Sequence, residues 1–115
     1  ERELAADLIR EAALLHLDDE VPHGIIVRID EYSDRGESAA FIAATLILER
    51  ETHKPIVIGR GGSMLKKIGS SARQEIESLT GRSIFLELRD KVRKNWRDDE
   101  AALQAFGFSD PEGKS

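Results

Sequence analysis

The segment with the most distinctive chemistry is Ile58-Gly59-Arg60-Gly61-Gly62-Ser63-Met64-Leu65-Lys66-Lys67-Ile68. Three glycines in four residues remove Cβ atoms, so the backbone is able to lie close against a ligand. A helical pattern begins directly after them, and a helix N-terminus offers unpaired N–H groups and a positive dipole end that favour phosphate. Arg60, Lys66 and Lys67 add positive charge at the same end. The plain alternative is a tight turn between two elements; the adjacent cations and the flanking apolar run favour an anion-binding loop. The P-loop pattern is not met, because no Gly-Lys-Ser/Thr follows Gly59 at the required spacing. The dinucleotide fingerprint fails as well, with Met64 in its last glycine position counted from Gly59. Gly59 to Gly62 does fit Gly-x-x-Gly, a loop that clamps a nucleic-acid backbone across about four nucleotides.

Little else in the chain points to chemistry. His16, His23 and His53 have neither metal-ligand spacing nor a nearby carboxylate pattern, so they read as surface or turn residues. Ser63, Ser70 and Ser71 lack a nucleophile-elbow frame and a base, and Ser63 reads as a helix cap. The chain has no cysteine, which excludes disulfides, thiolate zinc sites and cysteine nucleophiles. No catalytic residue and no metal site is expected.

The elements that must position the glycine loop follow from periodicity. Residues 2–17 read as an amphipathic helix, with Leu4, Leu8, Ala12 and Leu15 on one face and Ala5, Ile9 and Ala13 widening it. Asp18-Asp19-Glu20 and Pro22 end it. From Gly24 the period becomes two: Ile25, Val27 and Ile29 alternate with Ile26, Arg28 and Asp30. Tyr32 to Ser38 is a polar turn. A second strand runs from Ala39 to about Arg50, with Ile42, Ala44, Leu46 and Leu48 on one face, and the two strands form an antiparallel pair. Ile56-Val57-Ile58 reads equally as a strand or a helical turn.

A further helix carries Leu65, Ile68, Ala72, Ile76 and Leu79, and Gly81 sits at its left-handed C-cap. Gly69 inside it costs about 1 kcal/mol relative to alanine; close packing is the first explanation and approach of the nucleic acid the second. Residues 83–94 form a third strand with Ile84, Leu86, Leu88 and Val92 on one face. Asp90 interrupts that face, so the strand leaves the core near there. Arg89, Lys91 and Arg93 form a basic stripe opposite, which is either an extension of the nucleic-acid surface or a solvated face. Asp98 caps a short last helix holding Leu103 and Phe106, ended by Gly107 and Phe108. Trp96 reads as a packing anchor ahead of a base-stacking role, and residues 109–115 as a loose tail.

The 115 residues suffice for one domain. With 40% hydrophobic and 34% charged residues, the chain belongs with globular rather than disordered proteins. It has no apolar run near the roughly 20 residues of a membrane span and no signal-peptide pattern. Beginning at Glu1, it reads as an excised or processed piece. The net charge of −5 hides a partition: −8 over residues 1–52, +7 over 53–97 and −4 over 98–115. A partner responds to the local field rather than the sum, so the positive block is where a polyanion would bind.

At the glycine loop and around it, the chain resembles the KH domain at the C-terminal end of the Era family of bacterial GTPases. The likeness covers nearly the whole chain. It includes Glu20-Val21-Pro22, the strand pair, Lys54-Pro55-Ile56-Val57-Ile58-Gly59-Arg60-Gly61-Gly62 and Leu65-Lys66-Lys67-Ile68-Gly69. It continues through Ser83-Ile84-Phe85-Leu86-Glu87-Leu88, Val92-Arg93-Lys94-Asn95-Trp96-Arg97-Asp98 and Phe106-Gly107-Phe108. Arg89 and Asp90 depart from it, since the family usually keeps more apolar residues there.

The resemblance implies an α+β type II KH fold over residues 1–108, a three-stranded mixed sheet with helices on one face and a short C-terminal helix. It turns Pro55–Ile58 into a short helix. It also implies single-stranded RNA binding, at the 3′ end of small-subunit ribosomal RNA, during assembly of the small ribosomal subunit. By this likeness the RNA lies between the Gly59–Gly62 loop with its helix and the second strand. Gly59, Gly61 and Gly62 receive the backbone, while Arg60, Lys66 and Lys67 sit near phosphates, with Ser63 at the helix start. Ile58, Ile68 and Leu48 give an apolar floor, Ile68 reading equally as core. Met64 stands between groove wall and core.

A binding module rather than an enzyme is expected. No cofactor is expected in this chain, because GTP and magnesium are implied only for the GTPase domain of such proteins. The same likeness implies a cytoplasmic monomer and peripheral membrane association of the full-length protein. The competing reading is a protein-interaction module that uses the acidic residues 1–52 to bind a basic protein.

Overall fold

In the computed structural model, residues 1–17 and 25–93 are described. Helix α1 spans Arg2–Leu17, with the acidic Glu3 in its first turn, where the helix dipole favours negative charge. Its buried residues are Ala5, Leu8, Ile9, Ala12, Ala13 and Leu17. Leu4 and Leu15, expected on the buried stripe, are 38% and 72% exposed. The alanines let α1 lie close to its neighbours, and this centres the buried arc on Ile9 rather than on the leucines.

Strands β1 (Ile25–Asp34) and β2 (Ala39–Leu48) form the antiparallel pair. Their register shifts between Ile29 and Glu31, so Asp30 sits in a bulge. β1 runs through Tyr32, Ser33 and Asp34 rather than stopping at Tyr32. Those three residues pair with Ile42, Phe41 and Ala40, and Tyr32 packs against the core. The turn shrinks to residues 35–38, closed by the Arg35 N–H donating to the Ala39 carbonyl at 2.9 Å.

Lys54–Ile58 is a helix, α2, as the family resemblance implied. Pro55 stands in its first turn, where the missing N–H costs nothing and the fixed φ suits the helix. Helix α3 follows the glycine loop as Ser63–Thr80 and ends at Gly81 (φ +72°), whose N–H donates to the Glu77 carbonyl at 2.8 Å. It carries the chain across the sheet to β3 (Ser83–Val92), which lies parallel to β2 and gives the mixed order β1-β2-β3.

β3 does not leave the sheet at Asp90. Asp90 pairs with Leu46 and Val92 with Leu48, and the Arg93 N–H still donates to the Leu48 carbonyl at 2.8 Å. The Asp90 carboxylate lies on the apolar side with Lys54 Nζ, at the start of α2, 3.9 Å from its Oδ2, an ion-pair distance at which that oxygen accepts no hydrogen bond. At the other end of the sheet, Arg82 Nη2 donates to Asp34 Oδ1 (2.8 Å) and to the Ala39 carbonyl (2.7 Å), tying the α3–β3 turn to the hairpin.

The described helices share one face of the sheet. There Ile42, Ala44, Leu46 and Leu48 of β2 meet Ile9, Leu17, Val57, Ile68 and Ile76 in one core. On the other face Ile26 and Ile47 are also buried. Lys94, Trp96, the last helix expected from Asp98 to Phe108, the tail and the segment around Pro22 lie outside the described residues.

Candidate nucleic-acid interface

Gly59 turns the chain out of α2 at φ +75° and ψ 175°, a combination open essentially to glycine alone. A Cβ there would lie 2.7 Å from both Cβ and N of Met64. The turn itself therefore requires this glycine. Gly61 and Gly62 are left-handed too, at φ +61° and +80°, yet a Cβ on either would meet nothing within 4 Å. These two present bare backbone to open space. Gly62 then serves as the N-cap of α3 and no side chain caps the helix. Ser63 is the first helical residue, not the cap that its type suggested.

Between α3 and β3 runs an open groove of about 290 Å³. Gly62 and Lys66 stand at its loop end, Leu65, Gly69, Leu86 and Leu88 line its length, and Ser70 and Arg73 close the far end. The parallel crossover explains the wall. β2 is the central strand and lies under the helices, whereas β3 is the edge strand, and its helix-facing leucines border the opening.

The structure thus moves two of the expected contacts. Leu48 and Ile68 are 0% exposed, inside the core beneath the groove, and the apolar floor is Leu86 and Leu88 instead. The second wall is β3, not the second strand in sequence. Arg60, Lys66 and Lys67 are exposed, and none forms an ion pair among the described residues. Lys67 borders a separate cleft on the other flank of α3, beside Leu15 and His16. Ile58 and Met64 are half-buried, and Met64 packs against the core.

Arg89 and Lys91 pair with Thr45 and Ile47 on the face turned away from the helices, because alternate strand residues point oppositely. The basic stripe therefore does not continue the groove, and Arg93 lies past the end of β3.

Sequence reasoning missed Leu65, Ser70 and Arg73 as groove residues, and gave Leu86 and Leu88 to the core. A signal was present. Gly62, Lys66, Gly69 and Arg73 follow a 4, 3, 4 spacing that marks one face of a helix beside its buried stripe. The packing explanation for Gly69 also falls away, since a Cβ there would touch Leu88 Cδ1 at an ordinary 3.6 Å. What that methyl would occupy is groove space.

At the far end, Glu77 accepts the Ile84 N–H on Oε2 at 2.9 Å and Arg73 Nη1 on Oε1 at 3.0 Å. The Ile84 amide, and after it Arg73, hold the Glu77 carboxyl below its ordinary value against the opposing effect of partial burial. Among the described residues there is no cluster of three metal-ligating side chains. No described helix is long and apolar enough to cross a membrane.

Residues 20–97 match the KH domain family. The chain belongs to the KH domain family. It is 48% identical over 108 residues to the GTPase Era of Ruminiclostridium cellulolyticum, a match covering 94% of this chain and 36% of that protein. The solved structure of Aquifex aeolicus Era bound to GDP·AlF4− superposes with a TM-score of 0.86 at 40% identity, over 94% of this chain and 36% of that one. A structure of Era in complex with MgGDPNP and nucleotides 1506–1542 of 16S ribosomal RNA gives the same TM-score and coverage at 41% identity. The chain spans just over a third of the length of these relatives and corresponds to the C-terminal KH domain of Era. Its α+β sheet of three mixed strands with helices on one face is the type II KH arrangement.

Proposed function

We propose that this KH domain binds single-stranded RNA in the groove between the glycine loop, α3 and β3, and that its target is the 3′ end of small-subunit ribosomal RNA. One convergence carries this reading. The bare backbone of Gly62, the unpaired cation Lys66 and a floor of Leu86 and Leu88 line one groove, and the exposed Arg60 and the open backbone of Gly61 stand in the loop that leads into it. Phosphates lie against the loop and the α3 N-terminus, where N–H groups and positive charge favour them. Unstacked bases lie on the apolar floor. The Era complex with a 16S ribosomal RNA fragment supports the choice of target.

In this reading the chain acts by binding. It directs an Era-like GTPase to the small ribosomal subunit in the cytoplasm, while GTP and magnesium belong to the rest of such a protein. The acidic residues 1–52 are a weaker candidate interface. Of their carboxylates, Asp30, Glu31 and Asp34 already face Arg28, Arg35 and Arg82.

Fluorescence anisotropy with a labelled ribosomal 3′-end strand tests the proposal. Affinity should fall with salt, at a log–log slope of about −0.7 per neutralised phosphate, or roughly −2 to −4 in all. Gly61→Asp, at a position where a Cβ meets nothing, should weaken binding at least tenfold (on the order of one lost phosphate contact or more) with the circular dichroism unchanged. A flat salt response, or unchanged affinity in that variant, would sink the RNA reading.

A further inference from the structure

The groove has two chemically different ends. At the loop end Lys66, and Arg60 in the adjoining loop, carry charge that no described carboxylate neutralises. At the far end Arg73 is paired with Glu77 at 3.0 Å, and Glu77 is itself fixed by the Ile84 N–H of β3 at 2.9 Å. The second contact matters, because a lone surface pair one helical turn apart leaves its arginine free to swing. Here the main chain of the neighbouring strand holds the carboxylate, and the carboxylate holds one edge of the guanidinium.

A guanidinium has five N–H donors in a rigid planar fork. Glu77 engages one of them in the structure, so donors remain for a ligand in the groove that Arg73 lines. The charge of the pair is locally cancelled, which makes Arg73 a poor attractor of phosphate but leaves its directional hydrogen bonding intact. The eleven helical steps from Gly62 to Arg73 place it about 16 Å along α3 from the loop at 1.5 Å per residue. That separates it from the phosphate-binding end by more than one nucleotide.

We propose that Arg73 reads a base edge at the far end of the groove, with Glu77 as its positioning residue. The inference rests on the RNA-binding function proposed above. The fork suits a base edge with two adjacent acceptors, as in guanine (O6 and N7) or the Watson–Crick edge of cytosine (N3 and O2). Adenine places a donor beside its N7 and is disfavoured. Gly69 and Leu88 leave the space in which such a base lies flat.

The test uses this chain and a set of labelled single strands based on the ribosomal 3′ end, with each position replaced in turn by each other base. Affinities are measured at several salt concentrations. The wild type should show one position at which guanine or cytosine is preferred to adenine by about tenfold, the discrimination of one good bidentate contact. Arg73→Ala should erase the preference at that position while leaving the salt slope within a third of one phosphate contact. Arg73→Lys keeps the charge and the helix but loses the fork, so it should erase the preference as well. Glu77→Gln should reduce it. If Arg73→Ala weakens every strand equally and makes the slope shallower by about 0.7, Arg73 is a phosphate contact and the proposal is overturned. A wild type that binds without base preference, or an Arg73→Lys variant that keeps it, overturns this inference alone. A wild type that binds no strand overturns the RNA function with it.

Discussion

Both faces of the sheet carry cations, and the sharpest difference between them is which ones are left unpaired. On the face that no described helix covers, Arg28 lies 2.7 Å from Asp30, Arg89 lies 3.7 Å from Glu87 and Arg35 lies 3.9 Å from Glu31. The Thr45 hydroxyl adds a 2.6 Å hydrogen bond to Asp30. Lys91 is the one exposed cation there without a carboxylate within 4 Å among the described residues. On the helix side, Arg60 and Lys66 flank bare glycine backbone and face open space unpaired. Paired charges contribute little net field and about 0–1 kcal/mol each when exposed, whereas unpaired charges beside an open backbone present the field that a polyanion seeks. A basic stripe in a sequence is therefore a weaker sign of a binding surface than a cation that the fold leaves without a carboxylate.

The sharpest way to break this comparison is at the loop itself. Gly59→Ala should destabilise the domain by about 2–3 kcal/mol, because positive φ strain is joined by the 2.7 Å approach of Met64. Gly36→Ala, in the hairpin turn at φ +85° with nothing near its Cβ, should cost about 1 kcal/mol from φ alone. Urea midpoints measure both. Equal losses would mean that the glycine loop is an ordinary turn.

Next in size is the charge difference between the faces. Arg60→Ala and Lys66→Ala should each weaken RNA binding roughly fivefold at 0.1 M salt and together about 25-fold, with the slope shallower by about 0.7 per site. Arg28→Ala and Arg89→Ala on the other face should leave both affinity and slope unchanged. If Arg89→Ala matched Lys66→Ala, the assignment of the groove to one face would fail.

Much of this arrangement is legible in the residues alone, and the limits are physical. Alternation marks Leu86 and Leu88 as sharing a strand face, and the 3.6 period marks Ile68 and Ile76 as buried. Neither pattern says which neighbour a face meets. That depends on the parallel crossover, which makes β2 central, buries Leu48 and turns β3 into the groove wall. Leu4 and Leu15 mislead for a related reason: periodicity weights size, while the alanines of α1 set how closely it packs. Ser63 misleads because Gly62 already occupies the cap. The apolar triplet Ile56–Ile58 is too short for any period to show, and Pro55 and Gly59 at its ends make it a helix.

Gly69→Ala is a smaller effect that reads in two opposite directions. Removing a mid-helix glycine should raise stability by up to about 1 kcal/mol, since the new methyl meets only Leu88 Cδ1 at 3.6 Å. RNA affinity should fall, because the same methyl enters the groove. Urea unfolding and anisotropy on one preparation separate the two. A variant that is less stable returns Gly69 to a packing role, and one that binds RNA as well as the wild type removes it from the groove.

The smallest expected effect is in acid, and it again separates the two faces. Glu77 is held below its ordinary value of 4.5 by the Ile84 amide and Arg73. Burial raises the Asp30 carboxyl, but the Thr45 hydroxyl and Arg28 more than offset this and leave it below 3.8. A carboxyl with a depressed folded pKa stabilises the native state above its unfolded value and loses that contribution as pH falls through the folded one. The stability difference between wild type and Glu77→Gln should therefore be constant from pH 7 to about 5 and shrink below 4.5. For Asp30→Asn the same loss should begin only below 3.8. Urea midpoints from pH 7 to pH 3 measure both. Only Glu77→Gln should also weaken the base preference, because Asp30 lies on the face away from the groove. If both variants tracked the wild type in parallel down to pH 3, neither carboxylate would be held as the hydrogen bonds indicate. Arg73 would then lack the fixed partner on which its reading of a base depends.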